Sequence, residues 1–225
     1  MIPYSQLKRG SRFFGDWFMS LFSGLELVLF DLDGTLVRTS EDYVERFLGV
    51  CLDHFGISKN GGLARRLWFD DYRSDIVKGL GVDPKVFWEY YNKVEDLSHR
   101  FGAISLYEVD DPDFVSCLSF LGLSRVVVTG ASKSSMDLEL DFFGGGFDAA
   151  YSTHQLGVKK RNVIFECLEK FGVRSKNAVF VGNSDGDIRE ARASGVKSVL
   201  VDRREYPVRE IPDYKINSLY ELLKI

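Results

Sequence analysis

Cysteine is scarce in this chain: Cys51, Cys117 and Cys167 are the only three in 225 residues. They are widely spaced and odd in number, and no pair has the spacing of a zinc site. A disulfide framework and a cysteine-based metal finger are therefore excluded. Each falls inside an apolar helical pattern, which reads as a buried free thiol and fits a reducing, cytosolic compartment. An excess of basic charge is also missing. Lys and Arg number 29 against 33 Asp and Glu, for a net charge of −4 and a pI of about 5.5. A nucleic-acid partner is not expected from that balance, although a basic pocket in a single cleft is compatible with it. Only five prolines occur, with no internal repeat and no low-complexity tract.

Long uninterrupted apolar runs are lacking as well. The one segment that invites the question lies within residues 1–24, where Lys8, Arg9 and Arg12 precede Phe13, Phe14, Trp17, Phe18, Leu21 and Phe22. Gly15 and Asp16 interrupt it, which argues against a signal peptide, and it is too short to span a bilayer. It reads as a helix packing its aromatics on the protein body. A membrane-surface or partner-binding helix is the alternative.

What the chain does contain is a series of short, Val-rich runs. Residues 25–30, 125–129, 178–182 and 198–202 have the continuous apolar character of strands covered on both faces, and 148–152 is a weaker fifth. Helical patterns lie between them. Val163, Ile164, Cys167, Leu168 and Phe171 share one face of a helix over 161–171 that Gly172 ends, and a second helix covers 187–194. This alternation predicts an α/β fold, a Rossmann-like parallel sheet. The first two strands are separated by too much chain for one crossover. Residues 41 to about 105 read as helical, with Asp83-Pro84 starting one helix. The predicted organisation is an N-terminal segment 1–24, a core from 25–38 and 106–225, and an α-helical cap at 39–105 over the carboxyl edge of the sheet.

Open α/β sheets bind ligands beyond the carboxyl ends of their strands, so the residues there carry the chemistry. The first strand runs into Phe30-Asp31-Leu32-Asp33-Gly34-Thr35-Leu36. Two carboxylates two residues apart in a turn can divide the labour. One acts as nucleophile and metal ligand, and the other exchanges a proton with the leaving-group or water oxygen. A plain polar turn with capping aspartates is the bland alternative. The second strand ends at Thr129-Gly130-Ala131-Ser132, where a hydroxyl and a backbone N–H at a helix entrance could cradle phosphate. Ser132 reads as a helix cap.

The string from Phe30 to Leu36 resembles the first motif of the haloacid dehalogenase superfamily. The resemblance covers roughly residues 25–205, with four motifs in order. It implies that Asp31 attacks phosphorus to form an aspartyl-phosphate. It implies that Asp33 is the general acid/base, its backbone carbonyl helping to bind Mg²⁺, and that Thr129 and the Gly130 amide hold the phosphoryl oxygens. A lysine before a helix should neutralise nucleophile and phosphoryl group. Counting from Phe165 places Lys159 there, with Lys160 falling where many relatives have proline. The fourth motif, Val181 to Asp187, departs from the family: Asn183 stands where a metal-binding Asp is usual. Its amide oxygen can still ligate Mg²⁺ but adds no charge. Asp187 matches the second acid of that motif and is expected to support the metal or its waters. Asp185 reads as an extra carboxylate or a helix cap.

The expected activity is Mg²⁺-dependent hydrolysis of a small phosphorylated metabolite. A phosphomutase is the nearest rival, and a weakened binding or scaffold protein is the third reading, because of Asn183. A dehalogenase is disfavoured by the presence of Asp33. Trp68, Tyr72, Phe87, Trp88, Tyr90 and Tyr91 read as cap core, and Arg65, Arg66, Arg73 and Arg100 as solvated or facing an anionic substrate. His54, His99 and His154 read as structural or exposed. Nothing in the sequence sets a subunit number.

Overall fold

The computed structural model describes residues 24–39, 41–59, 62–70, 72–100, 107–109, 114–115, 118, 121–141, 143, 145–203 and 208–224. The N-terminal aromatic segment, Cys117 and the side chains of His99 and Arg100 lie outside the described residues. The elements, in chain order, begin with β1 (Leu27–Phe30), β2 (Val37–Thr39), α1 (Glu41–His54), α2 (Leu63–Phe69), α3 (Arg73–Gly79) and α4 (Pro84–Arg100). They continue with β3 (Tyr107–Val109), β4 (Ser124–Thr129), α5 (Lys133–Asp141), β5 (Ala149–Ser152), α6 (Thr153–Leu156) and α7 (Lys160–Phe171). The last are β6 (Ala178–Gly182), α8 (Asp185–Ala193), β7 (Lys197–Val201) and β8 (Tyr214–Ile216).

Six strands form one sheet in the order β5-β4-β1-β6-β7-β8, and every neighbouring pair is parallel. The strands are continuous apolar runs because both faces are covered. Leu27 and Leu29 join Val163, Ile164 and Cys167 of α7 on one face. Val28 and Phe30 join Phe114, Leu118 and Met136 on the other. This is the period-2 alternation of a strand read against two separate cores. The chain lays down β4 and β5 on one side of β1, then returns to build β6, β7 and β8 on the other. The direction of winding therefore reverses beside β1, where a crevice opens at the carboxyl ends.

The helices α1 to α4 have a core of their own, formed by Phe47, Leu48, Leu52, Leu67 and Phe87 among others. The stretch expected as helical throughout is broken into four helices. Asp83 accepts the Lys85 amide at 2.8 Å and Pro84 takes the first helical position, so α4 starts where its sequence signal lies. Two features were not anticipated. The antiparallel pair β2 and β3 brackets the cap, and β8 extends the sheet at its edge. Each is three residues long with mixed polarity, too short to show a period. The two described cysteines, Cys51 and Cys167, are buried and are not joined in a disulfide. No helix of the described residues is long and apolar enough to cross a membrane.

Candidate active site

Asp31 directly follows β1, and its amide donates to the Val181 carbonyl at 2.8 Å, which ties it to the end of β6. Its side chain is nearly buried, and Oδ1 accepts a 2.7 Å bond from Lys160 Nζ. The same ammonium donates to Asp187 Oδ1 at 2.7 Å. Burial, and then the negative charge of Asp187, push the Asp31 carboxyl up from 3.8 to about 7, against the opposing pull of Lys160. Burial alone would lower the lysine. The charges of Asp187 and Asp31 outweigh it and hold Lys160 above its ordinary value.

The geometry corrects the lysine assignment. Lys159 was expected in the site, but it is the exposed N-cap residue of α7, and Lys160 is the one that points inward. The reason is helical spacing. Lys160 precedes Val163, Ile164 and Cys167 by three, four and seven residues, so it lies on the buried stripe of α7. That signal was present in the sequence: extending the stripe back one turn leads to Lys160.

Asp33 lies in the turn after Asp31. Its carboxyl is raised above the usual range by burial, against the lowering influence of Lys160, a hydrogen bond with the buried Glu139, and Arg73. Glu139, on α5, had no sequence signal beyond being a charged residue in a helix. The turn is shaped by Gly34, whose φ is +74°. A Cβ there would also fall 1.7 Å from Nδ2 of Asn183, so a side chain is excluded twice over.

Thr129, at the end of β4, is fully buried. Its hydroxyl oxygen accepts the Ala131 amide at 3.0 Å, which leaves the hydroxyl proton for a ligand oxygen. Gly130 lines the same cavity. Ser132 accepts the Ser135 amide at 3.2 Å, the cap role expected of it.

Asn183 follows β6 and is 9% exposed. Asp187 stands behind it. Its Oδ2 accepts the amides of Asn183 and Ser184 and the Ser184 hydroxyl at 3.1, 3.0 and 2.7 Å. With Oδ1 bound to Lys160, both oxygens are engaged, and Asp187 supports Asn183 and Lys160 from outside the cavity lining. Gly182 permits this, since a Cβ there would lie 2.4 Å from the Asp187 side chain. Asp185 does not cap α8, which is Ser184's role in a capping box with Asp187. The Asp185 carboxylate instead accepts the amides of Arg209 and Glu210 at 2.8 Å each.

Asp31, Asp33, Thr129, Gly130, Lys160 and Asn183 thus converge on one cavity of about 600 Å³. Its opposite wall comes from the cap, including Trp68, Asp70, Arg73, Ser74, Trp88 and Tyr91. Part of the aromatic set expected as cap core is therefore also cavity wall. Arg73 lies 4.7 Å from the centre of the Trp88 ring, and the Trp88 indole N–H donates to Ser74 at 3.0 Å. Of the other cap residues singled out, Arg65 pairs with Glu41 and His54 stacks on Tyr90. His154 lines the cavity.

A hard cation fits this donor set. The carboxylates of Asp31, Asp33 and Asp187 face the ammonium of Lys160 and, from the cap, the guanidinium of Arg73, so carboxylates outnumber cations here. The oxygens of Asp31, Asp33 and Asn183 share the cavity and are the type Mg²⁺ takes. No group of three or more His, Cys, Asp or Glu among the described residues could by itself hold a metal. The candidate set depends on the amide of Asn183.

A family model described as haloacid dehalogenase-like hydrolase matches residues 28–201. The chain belongs to that family. A pyrophosphatase, PpaX, from Halalkalibacterium halodurans is 28% identical over 223 residues, covering 89% of this chain and 96% of that protein. A phosphoglycolate phosphatase from Aquifex aeolicus is 23% identical over 223 residues, covering 89% and 96%. Among solved structures, a haloacid dehalogenase-like hydrolase from Streptococcus pneumoniae superposes with a TM-score of 0.70 at 18% identity, covering 89% of this chain and 98% of that one. The haloacid dehalogenase-like chain described here is an enzyme of the phosphatase type.

Proposed function

We propose that the protein is a Mg²⁺-dependent phosphatase that hydrolyses a small phosphorylated metabolite through an aspartyl-phosphate on Asp31. The observation that carries this reading is the 2.7 Å bond from Lys160 Nζ to Asp31 Oδ1 within the cavity that also holds Asp33, Thr129 and Asn183. Spontaneous phosphate-monoester cleavage is so slow that enzymes accelerate it by up to about 10²¹-fold. Positioning and charge neutralisation are the available means.

With Oδ1 held by Lys160, Oδ2 of Asp31 is the oxygen left to attack phosphorus. The P–O bond to the leaving group breaks as Asp33 gives its proton to the departing oxygen. Asp33, now ionised, takes a proton from water, whose oxygen attacks the aspartyl-phosphate and returns Asp31 as a carboxylate. The raised pKa of Asp33 suits it to both directions of transfer. Thr129 and the Gly130 amide donate to the phosphoryl oxygens. Asp31, Asn183 and the Asp33 backbone carbonyl would hold Mg²⁺, supported by Asp187. When bound, the ion offsets the repulsion between carboxylate and phosphate.

The cap wall supports the substrate class. Arg73, oriented by Trp88, offers a cation across the cavity from Asp31, which suits a small substrate with a second anionic group. The pyrophosphatase and phosphoglycolate phosphatase relatives carry names of substrates with that character. Asn183 favours a second reading, a binding protein weakened in catalysis, because the amide brings no charge to the cation. A panel of small phosphate esters and anhydrides assayed with Mg²⁺ separates the two. Turnover that needs the ion and vanishes in Asp31→Asn is expected. Turnover that survives Asp31→Asn would refute the mechanism, and none on any substrate, even in Asn183→Asp, would favour binding.

A further inference from the structure

Arg203, two residues beyond β7, reaches back across 168 residues of chain to the turn that carries Asp33. Its Nη1 donates to the Gly34 carbonyl at 2.6 Å and its Nη2 to the Thr35 carbonyl at 2.9 Å. Both residues are buried, so carbonyls there need partners. The turn does not supply them from its own amides. Thr35, Leu36 and Val37 all donate to Leu32, and Gly34 donates to Val37. A guanidinium, planar and with fixed spacing between its N–H groups, suits two successive carbonyls as no other side chain does.

The clamped peptides sit between two functional points. Asp33 immediately precedes Gly34, and β2, which opens the cap, begins at Val37. Gly34 also lies against the Asn183 side chain. Arg203 and Asn183 therefore both bear on the turn, and the Asp33 side chain, which also bonds Glu139, starts from the backbone they hold.

We propose that Arg203 is a positioning residue for proton transfer by Asp33: its clamp on the Gly34 and Thr35 carbonyls aims the acid at the leaving-group oxygen. The inference rests on the acid role of Asp33 given above, and it adds a residue outside the four motifs.

Leaving-group dependence tests it. An alkyl phosphate needs a proton on its departing alkoxide, whereas p-nitrophenyl phosphate needs little help. A positioned general acid contributes roughly 10²- to 10⁴-fold. Arg203→Ala is therefore expected to lower kcat/KM for the alkyl ester by at least about 30-fold and for the nitrophenyl ester by less than about threefold. Arg203→Lys, which keeps the charge but offers its N–H donors from a single nitrogen, should recover part of the alkyl-ester loss. It also carries the test if the alanine variant fails to fold. Asp33→Asn, the control, should show the same selectivity more strongly. Equal losses on both substrates in the Arg203 variants, with Asp33→Asn selective, would mean that Arg203 only holds the fold, and the proposal fails. No selectivity in Asp33→Asn would remove the acid role itself, and this inference with it.

Discussion

Replacing Lys160 by Met keeps the stem volume and removes the ammonium, and the consequences can be worked from three atoms. Asp31 Oδ1 and Asp187 Oδ1 each lose a 2.7 Å charge-assisted bond, and both carboxylates are buried. Breaking a buried ion pair on one side costs about 3–5 kcal/mol, a large part of the roughly 5–15 kcal/mol that holds a domain folded. For a chain of this size about 1 kcal/mol moves Tm by about 2–4 °C, so a fall on the order of 6–20 °C is expected. The loss should be smaller at low pH, where the carboxyls can protonate. Activity should fall by about 10²- to 10³-fold, the effect of removing a donor aimed at developing charge. Lys159→Ala is the matched control. Its side chain is exposed and makes no cap hydrogen bond, so a change within about 0.5 kcal/mol is expected, with near-normal turnover. Calorimetry and steady-state kinetics on the two variants decide the matter. If Lys159→Ala proves the more damaging, the assignment of the inward lysine is wrong.

Asn183→Asp should tighten Mg²⁺ binding by about tenfold or more by adding a charged oxygen. It should also lower Tm without metal, since it adds a carboxylate beside Asp31; titration calorimetry and melts with and without Mg²⁺ read both, and unchanged affinity would contradict the site. Gly34→Ala meets Asn183 Nδ2 at 1.7 Å and requires φ near +74°, so a loss of at least about 1–2 kcal/mol and reduced turnover are expected. Wild-type stability and turnover in this variant would show that the turn has another shape in solution. The pH dependence of stability follows from Asp31, whose folded value of about 7 lies above its ordinary 3.8. A raised carboxyl pKa means that protons favour the folded state. The contribution is fully present below pH 3.8 and lost as pH rises to about 7. Metal-free wild type should therefore lose stability relative to Asp31→Asn across that window, as denaturant unfolding at several pH values would show. Parallel curves would argue that Asp31 is not buried against Asp187.

Much of the architecture was legible because it depends on local pattern. The four Val-containing strands, the weaker fifth and the helix expected over 161–171 with its glycine stop emerged within a residue or two of where their patterns indicated, since two-sided burial leaves a strand no polar face. The three-residue elements β2, β3 and β8 were invisible, as three residues carry no period, and β2 and β3 pair across the whole cap. Lys160 was missed for a different reason. Counting along the motif points to Lys159, whereas the direction of the side chain follows the helical stripe, which includes Lys160.

The sequence by itself determined the chemistry available: two aspartates after one strand, a threonine and glycine after another, and lysines beside a helix, all within an α/β order that must bring strand ends together. Tertiary structure decided which lysine, that Asp187 is spent on holding Asn183 and Lys160, that Asp185 anchors the backbone at 209–210, and that Arg203 reaches the Asp33 turn. Apart from the Asp187–Asn183 bond, four residues apart, these are contacts between residues distant in the chain. Such contacts depend on strand order and on the angle at which a helix meets the sheet, neither of which a local pattern encodes.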